Sequence, residues 1–490
     1  VSRKRIVIVG SGMATTRLVE ELVARGAHET HHITVLGDEA AAPYNRILLS
    51  AVLEGTHRPE AITLRGEEWY AEHGIDLRLG SRVLQIDRDH SDVMLVDGTL
   101  VEYDALVLAT GSIPTLPPIR GLVRMDGSLH EAVHAFRSLA DCERLLDAID
   151  PSRWSSAGGE ERAAGVSRPR RAVVVGGGLL GLQVARALGA RGLDTEIVEG
   201  ADHLLHQQLG RAAGRILARD LKKLGVAVYT GARAVRLEDA GGRVNLRLDN
   251  GFTLDTDLVV LTAGGRPSTA LARQAGLEVR RGVVVDDRLA SVTDERVFAI
   301  GDCAEHEGRV TGFVPPAWEQ ASVLAGVLSD EPMKYDGSRI VARLRATGLD
   351  VAVLGDPERE TLDGGDVVEM SNPVRGSHRK LVVRDGRIVA GAFVGDLHRI
   401  GLVTQHYDRQ TVLGPTEPGD LLLVERSAQP VQLPDDAEVC NCAGVTAGAI
   451  RAYSSYEQAR ETTRATTGCG GCASTVRQLL AERSALEGIK

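Results

Sequence analysis

The chain has 490 residues, 43% of them hydrophobic and 25% charged, with a formal net charge of -10. That length suits roughly three domains of ordinary globular composition, and the negative balance argues against nucleic acid or an anionic membrane as a partner. Aromatics make up only 3% while Gly numbers 55, which favours tight turns and close backbone approaches over an aromatic-rich binding surface.

The first segment, VSRKRIVIVGSGM, superficially resembles an export leader. Its apolar part covers only Ile6 to Val9 before glycines begin, so a buried strand is the expected structure. No apolar run approaches the ~18–20 residues of a membrane span. Six cysteines stand at 142, 303, 440, 442, 469 and 472. Four crowd into the last tenth of the chain, unlike a secreted disulfide framework, and a reducing, cytoplasmic setting is expected.

Two segments repeat one pattern of strand, glycine turn, helix and strand. The first is RKRIVIVGSGMATTRLVEELVARG followed by HHITVLGDE; the second is PRRAVVVGGGLLGLQVARALGARG followed by DTEIVEG. Each predicts a βαβ unit with a parallel sheet. Residues 152–169 between them are rich in Gly, Ser, Ala and Arg without apolar periodicity, and a flexible insertion is expected there.

In the second unit Gly176, Gly178 and Gly181 fit G-x-G-x-x-G. The first makes the tight turn, the second admits a pyrophosphate to the helix N-terminus, and the third allows close helix–strand packing. Glu199 at the end of the next strand suits adenosine ribose hydroxyls and repels a 2′-phosphate. Gly200-Ala201-Asp202 supplies no arginine to hold one, which favours NADH over NADPH. In the first unit Gly10 and Gly12 match, whereas Thr15 takes the third position and is expected to loosen the packing slightly without blocking a phosphate. Asp38 and Glu39 end the strand that follows, with Glu39 the favoured ribose ligand.

LVLATGSIP (Thr110, Gly111), LTAGGRPS (with Gly265) and VFAIGDCAE (Gly301, Asp302) resemble signature stretches of two-dinucleotide pyridine nucleotide:flavin oxidoreductases. Five motifs in the right order carry that resemblance over about residues 4–325. It implies FAD at the first glycine turn and the late Gly-Asp, and NADH at the second turn. PYNRILLS and PPAWEQA further resemble the NADH-oxidising large subunit of assimilatory nitrite reductases. By that resemblance Arg46 contacts FAD and Glu319 lies near the isoalloxazine. No cysteine lies within residues 1–141, so thiol chemistry at the flavin is not expected.

Beyond residue 330, KLVVRDGRIVAGAFVGD alternates around Asp385-Gly386, a hairpin signal because Asp-Gly tolerates the positive φ of a type I′ turn. LHRIGLVTQHYDR then reads as a helix. At the end, Cys440-x-Cys442 and Cys469-x-x-Cys472 are separated by 26 residues. Four thiolates there suit a 2Fe-2S cluster or a tetrahedral zinc site. The arrangement resembles bacterioferritin-associated-ferredoxin-like 2Fe-2S domains, which implies the cluster.

The expected fold class is α/β. An FAD domain (1–118 and 283–328) is interrupted by an NADH domain (119–282), and a small α+β domain (329–433) and a small helical 2Fe-2S domain (434–490) follow. The expected function is NADH oxidation through FAD and the cluster, serving a molybdenum nitrate reductase or a sirohaem nitrite reductase as acceptor. No side chain is nominated as catalytic acid, base or nucleophile. Alternatives are an NADH:ferredoxin or rubredoxin reductase, a cluster-bearing amine or opine dehydrogenase subunit, and a non-enzymatic redox-sensing scaffold.

Overall fold

The computed structural model describes residues 3–150, 170–346, 348–423, 433–441, 443–468 and 470–487; the expected insertion at 152–169 lies outside them. Contacts gather the chain into two compact units. One comprises Val1–Arg46, Arg58–Ile113 and Gly265–Ile340; the other comprises Ile47–His57, Pro114–Gly264 and Val341–Lys490.

In the first unit five parallel strands run in the order Val297–Ala299, Ala105–Leu108, Lys4–Val9, His31–Leu36, Asp76–Arg78. The strand Lys4–Val9 is central, with Ile6 in register with Ile33 on one side and Ala105 on the other. Its run Ile6-Val7-Ile8-Val9 is buried throughout, as a strand covered on both faces of a parallel sheet requires. The helices Met13–Ala24 and Val314–Leu328 pack against each other. Both glycine-turn units thus form as the sequence predicts.

The second unit repeats the theme with a parallel sheet ordered Val226–Thr230, Asp194–Glu199, Arg171–Val175, Leu258–Leu261, Val133–Ala135. Within the same unit a five-stranded antiparallel sheet contains the expected hairpin. Arg384 pairs with Arg387 around Asp385 and Gly386, whose φ angles of 51° and 70° are both positive. The helix Ile400–Arg409 follows. A small module then pairs Glu438–Cys440 with Val445–Thr446 and adds the helices Ala447–Arg451, Tyr456–Thr463 and Ala473–Glu487. Among the described residues no helix is long and apolar enough to cross a membrane.

His134, on the edge strand Val133–Ala135, carries a buried Nε2 with no hydrogen-bond partner among the described residues. Burial first, and then Arg144, push its pKa from 6.5 down to about 4, against the pull of Asp141. The folded protein therefore holds His134 neutral, while the unfolded chain takes up a proton below about 6.5. Its contribution is complete above pH 6.5 and is lost as pH falls through that window toward 4, to a maximum of about 3 kcal/mol. His134→Leu should flatten the pH dependence of the urea midpoint between pH 6.5 and 4. A slope identical to that of the unaltered protein would refute this account.

Candidate functional site

The first glycine turn leaves the strand Lys4–Val9 at Gly10, whose φ of +109° and 2.3 Å approach of a built Cβ to the Ala109 carbonyl admit glycine alone. Gly12 caps the helix Met13–Ala24, and a Cβ there would meet nothing within 4 Å. Open space at the N-terminus of a 12-residue helix, with no acid in its first turn, fits a pyrophosphate. Thr15 is fully buried, and its hydroxyl donates to the Gly10 carbonyl at 2.7 Å. The side chain that replaces the third glycine thus ties the helix to the turn.

The following strand stops at Leu36, earlier than the sequence reading placed its end, because Gly37 turns to donate its N–H to the Arg78 carbonyl at 2.8 Å. Asp38 is consequently exposed. Glu39 is half-buried and accepts from the Tyr44 hydroxyl at 2.7 Å and from Arg46. Burial works against the charge on Arg46, yet Tyr44, Glu39 and Asp302 together hold its pKa above the ordinary arginine value.

Asp302 accepts from the Ser112 hydroxyl at 2.6 Å. Beside it Gly301, at φ +75°, donates its N–H to the Gln320 carboxamide at 2.8 Å. The Thr110 hydroxyl donates to the Ser268 carbonyl at 2.7 Å, and the Ser268 N–H to the Gly111 carbonyl at 2.9 Å. Glu39 and Arg46 are paired and Arg46 feels the charge of Asp302, while Gly301, Asp302, Thr110 and Gly111 join the same part of the first unit through Gln320, Ser112 and Ser268. Glu319 reaches solvent, although the protein around its carboxyl raises the pKa by desolvation against a bond from Ser338. Its neighbour Gln320, which sequence reasoning passed over inside the same PPAWEQA stretch, is the buried one.

The second glycine turn is tighter. Gly176 has φ +115°, and a Cβ there would lie 2.5 Å from the Thr262 carbonyl. Gly178 again faces open space, and a Cβ on Gly181 would sit 1.9 Å from the Gly176 carbonyl. Glu199 ends its strand as expected and is nearly buried. Its two carboxylate oxygens accept from the N–H groups of Gly177 and Ala201, each at 2.7 Å. Gly265 opens the short exposed strand Gly265–Pro267.

In the C-terminal module Cys440 and Cys472 are 3% and 4% exposed and share one apolar core with Val439, Val445, Ile450 and Leu479. Cys442 and Cys469 lie outside the described residues. Two buried thiols in a common apolar setting fit a cluster better than exposed ones would, since burial helps set the potential of such a site. Cys142 and Cys303 are fully buried, Cys303 in the core of the first unit. Burial raises both thiols, Cys142 to about 12, which disfavours the reactive thiolate.

Two glycine turns, each at the C-terminal edge of its own parallel sheet, define an oxidoreductase built from two dinucleotide-binding folds. The chain belongs to the pyridine nucleotide-disulphide oxidoreductase family, whose model matches residues 4–322. Residues 438–482 match the BFD-like 2Fe-2S binding domain. FAD, NADH and a 2Fe-2S cluster, the groups expected from the sequence, are those that the two matches support. The chain is 31% identical over 489 residues to a nitrite reductase (NAD(P)H) of Bacillus subtilis (strain 168), covering 98% of this chain and 57% of the relative. It is 30% identical over 496 residues to the assimilatory nitrate reductase electron transfer subunit of the same organism, covering 98% of this chain and 59% of that protein. The chain thus spans less than two thirds of these relatives. Among solved structures, the covalent putidaredoxin reductase–putidaredoxin complex matches with a TM-score of 0.73 at 26% identity, over 86% of this chain and 96% of that one.

Proposed function

We propose that this protein oxidises NADH and delivers electrons singly, through FAD and its own 2Fe-2S cluster, to a partner assimilatory nitrate or nitrite reductase in the cytoplasm. The observation that carries this reading is one chain with a two-dinucleotide reductase part over residues 4–322 and a 2Fe-2S module over 438–482. NADH gives up two electrons as a hydride and a 2Fe-2S cluster accepts one, so a flavin between them supplies the conversion.

The residues have separate tasks. Gly10, Gly12 and Thr15 shape the phosphate end of the FAD site, Glu39 (with Asp38 the lesser candidate) takes the ribose, and Thr110, Gly111, Gly301 and Asp302 hold the remainder. Arg46 supplies positive charge there, and Glu319 stands near the ring system. Gly176, Gly178 and Gly181 line the NADH site, where Glu199 accepts from the adenosine ribose, and Gly265 is a further cofactor-binding residue. Cys440, Cys442, Cys469 and Cys472 ligate the cluster. In domain terms FAD belongs to residues 1–118 with 283–328 and NADH to 119–282, followed by a small domain (329–433) and the cluster domain (434–490).

The test is anaerobic stopped-flow mixing of the holoprotein with NADH. Flavin bleaching followed by appearance of a one-electron cluster signal in paramagnetic resonance is expected. Bleaching without that signal would remove the relay. The 26% identity to putidaredoxin reductase over nearly all of that protein favours a second reading, an NADH:ferredoxin reductase serving a soluble carrier. Co-purification from nitrate-grown cells with a molybdenum or sirohaem enzyme separates the two.

A further inference from the structure

The adenosine end of the second dinucleotide site holds a cation that the local sequence does not supply. Beyond the strand Val226–Thr230, Gly231 donates its N–H to the Ala201 carbonyl at 2.6 Å and Ala232 to the Glu199 carbonyl at 3.2 Å. This pairing lays the next residue, Arg233, across Gly200. A Cβ built on Gly200 would lie 3.0 Å from the Arg233 Cγ and 3.2 Å from its Nε, so glycine at 200 makes room for the arginine stem. The Arg233 backbone is pinned from both sides by Asp249, at 2.9 and 2.8 Å. Its side chain is exposed, and among the described residues no carboxylate pairs with the guanidinium. By contrast Arg211, also close by, is already paired with Asp202.

The same end carries Glu199, whose negative charge argues against a phosphate. Both of its oxygens already accept a backbone N–H, and His206 Nδ1 stands 3.7 Å away, so the carboxylate is largely compensated before any ligand arrives. A planar guanidinium with unused donors beside the ribose-binding acid suits a phosphate ester.

We propose that Arg233, held across Gly200, reads the 2′-phosphate of NADPH, so that the second dinucleotide site accepts NADPH as well as NADH. This rests on the second glycine turn being the nicotinamide nucleotide site. The residue sits at the C-terminal edge of a parallel sheet, where dinucleotides bind, and it reaches that edge from a different strand than the one bearing Glu199.

Isothermal titration of the holoprotein with NADP+ and with NAD+ tests this without turnover. The unaltered protein should bind both. Arg233→Gln should weaken NADP+ by about tenfold, the effect of one lost charge-assisted contact, and should reduce the salt dependence of NADP+ binding, while NAD+ changes less than about threefold. Arg233→Lys should restore part of the loss. Equal effects on both nucleotides, no effect on either, or no NADP+ binding by the unaltered protein would overturn the assignment while leaving the donor site standing. Failure of both nucleotides to bind the unaltered protein would instead overturn the reading of the second turn, and this assignment with it.

Discussion

Cys472→Ser is expected to abolish the 2Fe-2S signal and to cut electron delivery to a one-electron protein acceptor by more than 100-fold, because loss of a direct ligand should exceed the ~10–100-fold cost of losing an outer-shell partner. Reduction of the bound flavin by NADH should persist within about threefold, since the motifs assigned to the two nucleotides lie within residues 4–322. The contrast between those readouts makes the experiment informative. A merely structural role for Cys472, 4% exposed in the module's core, would lower expression or stability without erasing a spectroscopic centre. Cys440→Ser, on the paired strand Glu438–Cys440, should give the same result from the other side of the motif. Metal analysis completes the argument, because zinc in place of iron would leave no reducible centre to lose. A signal unchanged in both variants would remove these cysteines from the ligand set.

How far the sequence revealed this protein depended on how local each determinant is. Gly10, Gly12, Gly176 and Gly178 were legible because a turn between a strand and its own helix is dictated within a few residues, and the structure shows the open space at Gly12 and Gly178 that the motif implies. The Asp385-Gly386 hairpin was legible for the same reason. Gln320 was not: it matters because the helix Val314–Leu328 folds back to point it at the Gly301 N–H, and nothing in PPAWEQA singles it out from Glu319. Arg233 was hidden in the same way, since the absence of arginine at 200–202 is visible in sequence whereas the pairing of neighbouring parallel strands is not. The position of Asp38 was misjudged because strand length here is set by a bond from Gly37 to Arg78, a partner 41 positions away in the sequence.

The two turns differ at one position, and that difference yields the second large expected effect. At Gly181 a Cβ would lie 1.9 Å from the Gly176 carbonyl and 2.8 Å from the Thr262 hydroxyl oxygen. Those are backbone and buried contacts that cannot swing aside, so the helix Leu179–Ala190 must lift from its strand. Gly181→Val should therefore cost at least the ~1–3 kcal/mol of ordinary overpacking, and NADH binding should weaken by about 10–100-fold as the phosphate cradle opens. FAD content should not change, because the FAD site is assigned to the other glycine turn. The first turn already carries a side chain at the matching place and accommodates it, with the Thr15 hydroxyl donating to the Gly10 carbonyl. Valine and threonine bring the same clashing Cβ, but once the helix has lifted a methyl group cannot make that bond and only a hydroxyl regains a hydrogen bond. Gly181→Thr should then be less damaging than Gly181→Val, since its hydroxyl can meet the Gly176 carbonyl as Thr15 meets Gly10. Equal loss of NADH affinity in the two variants would mean that the first turn tolerates Thr15 through a wider helix–strand spacing, and that the hydrogen bond is incidental to it.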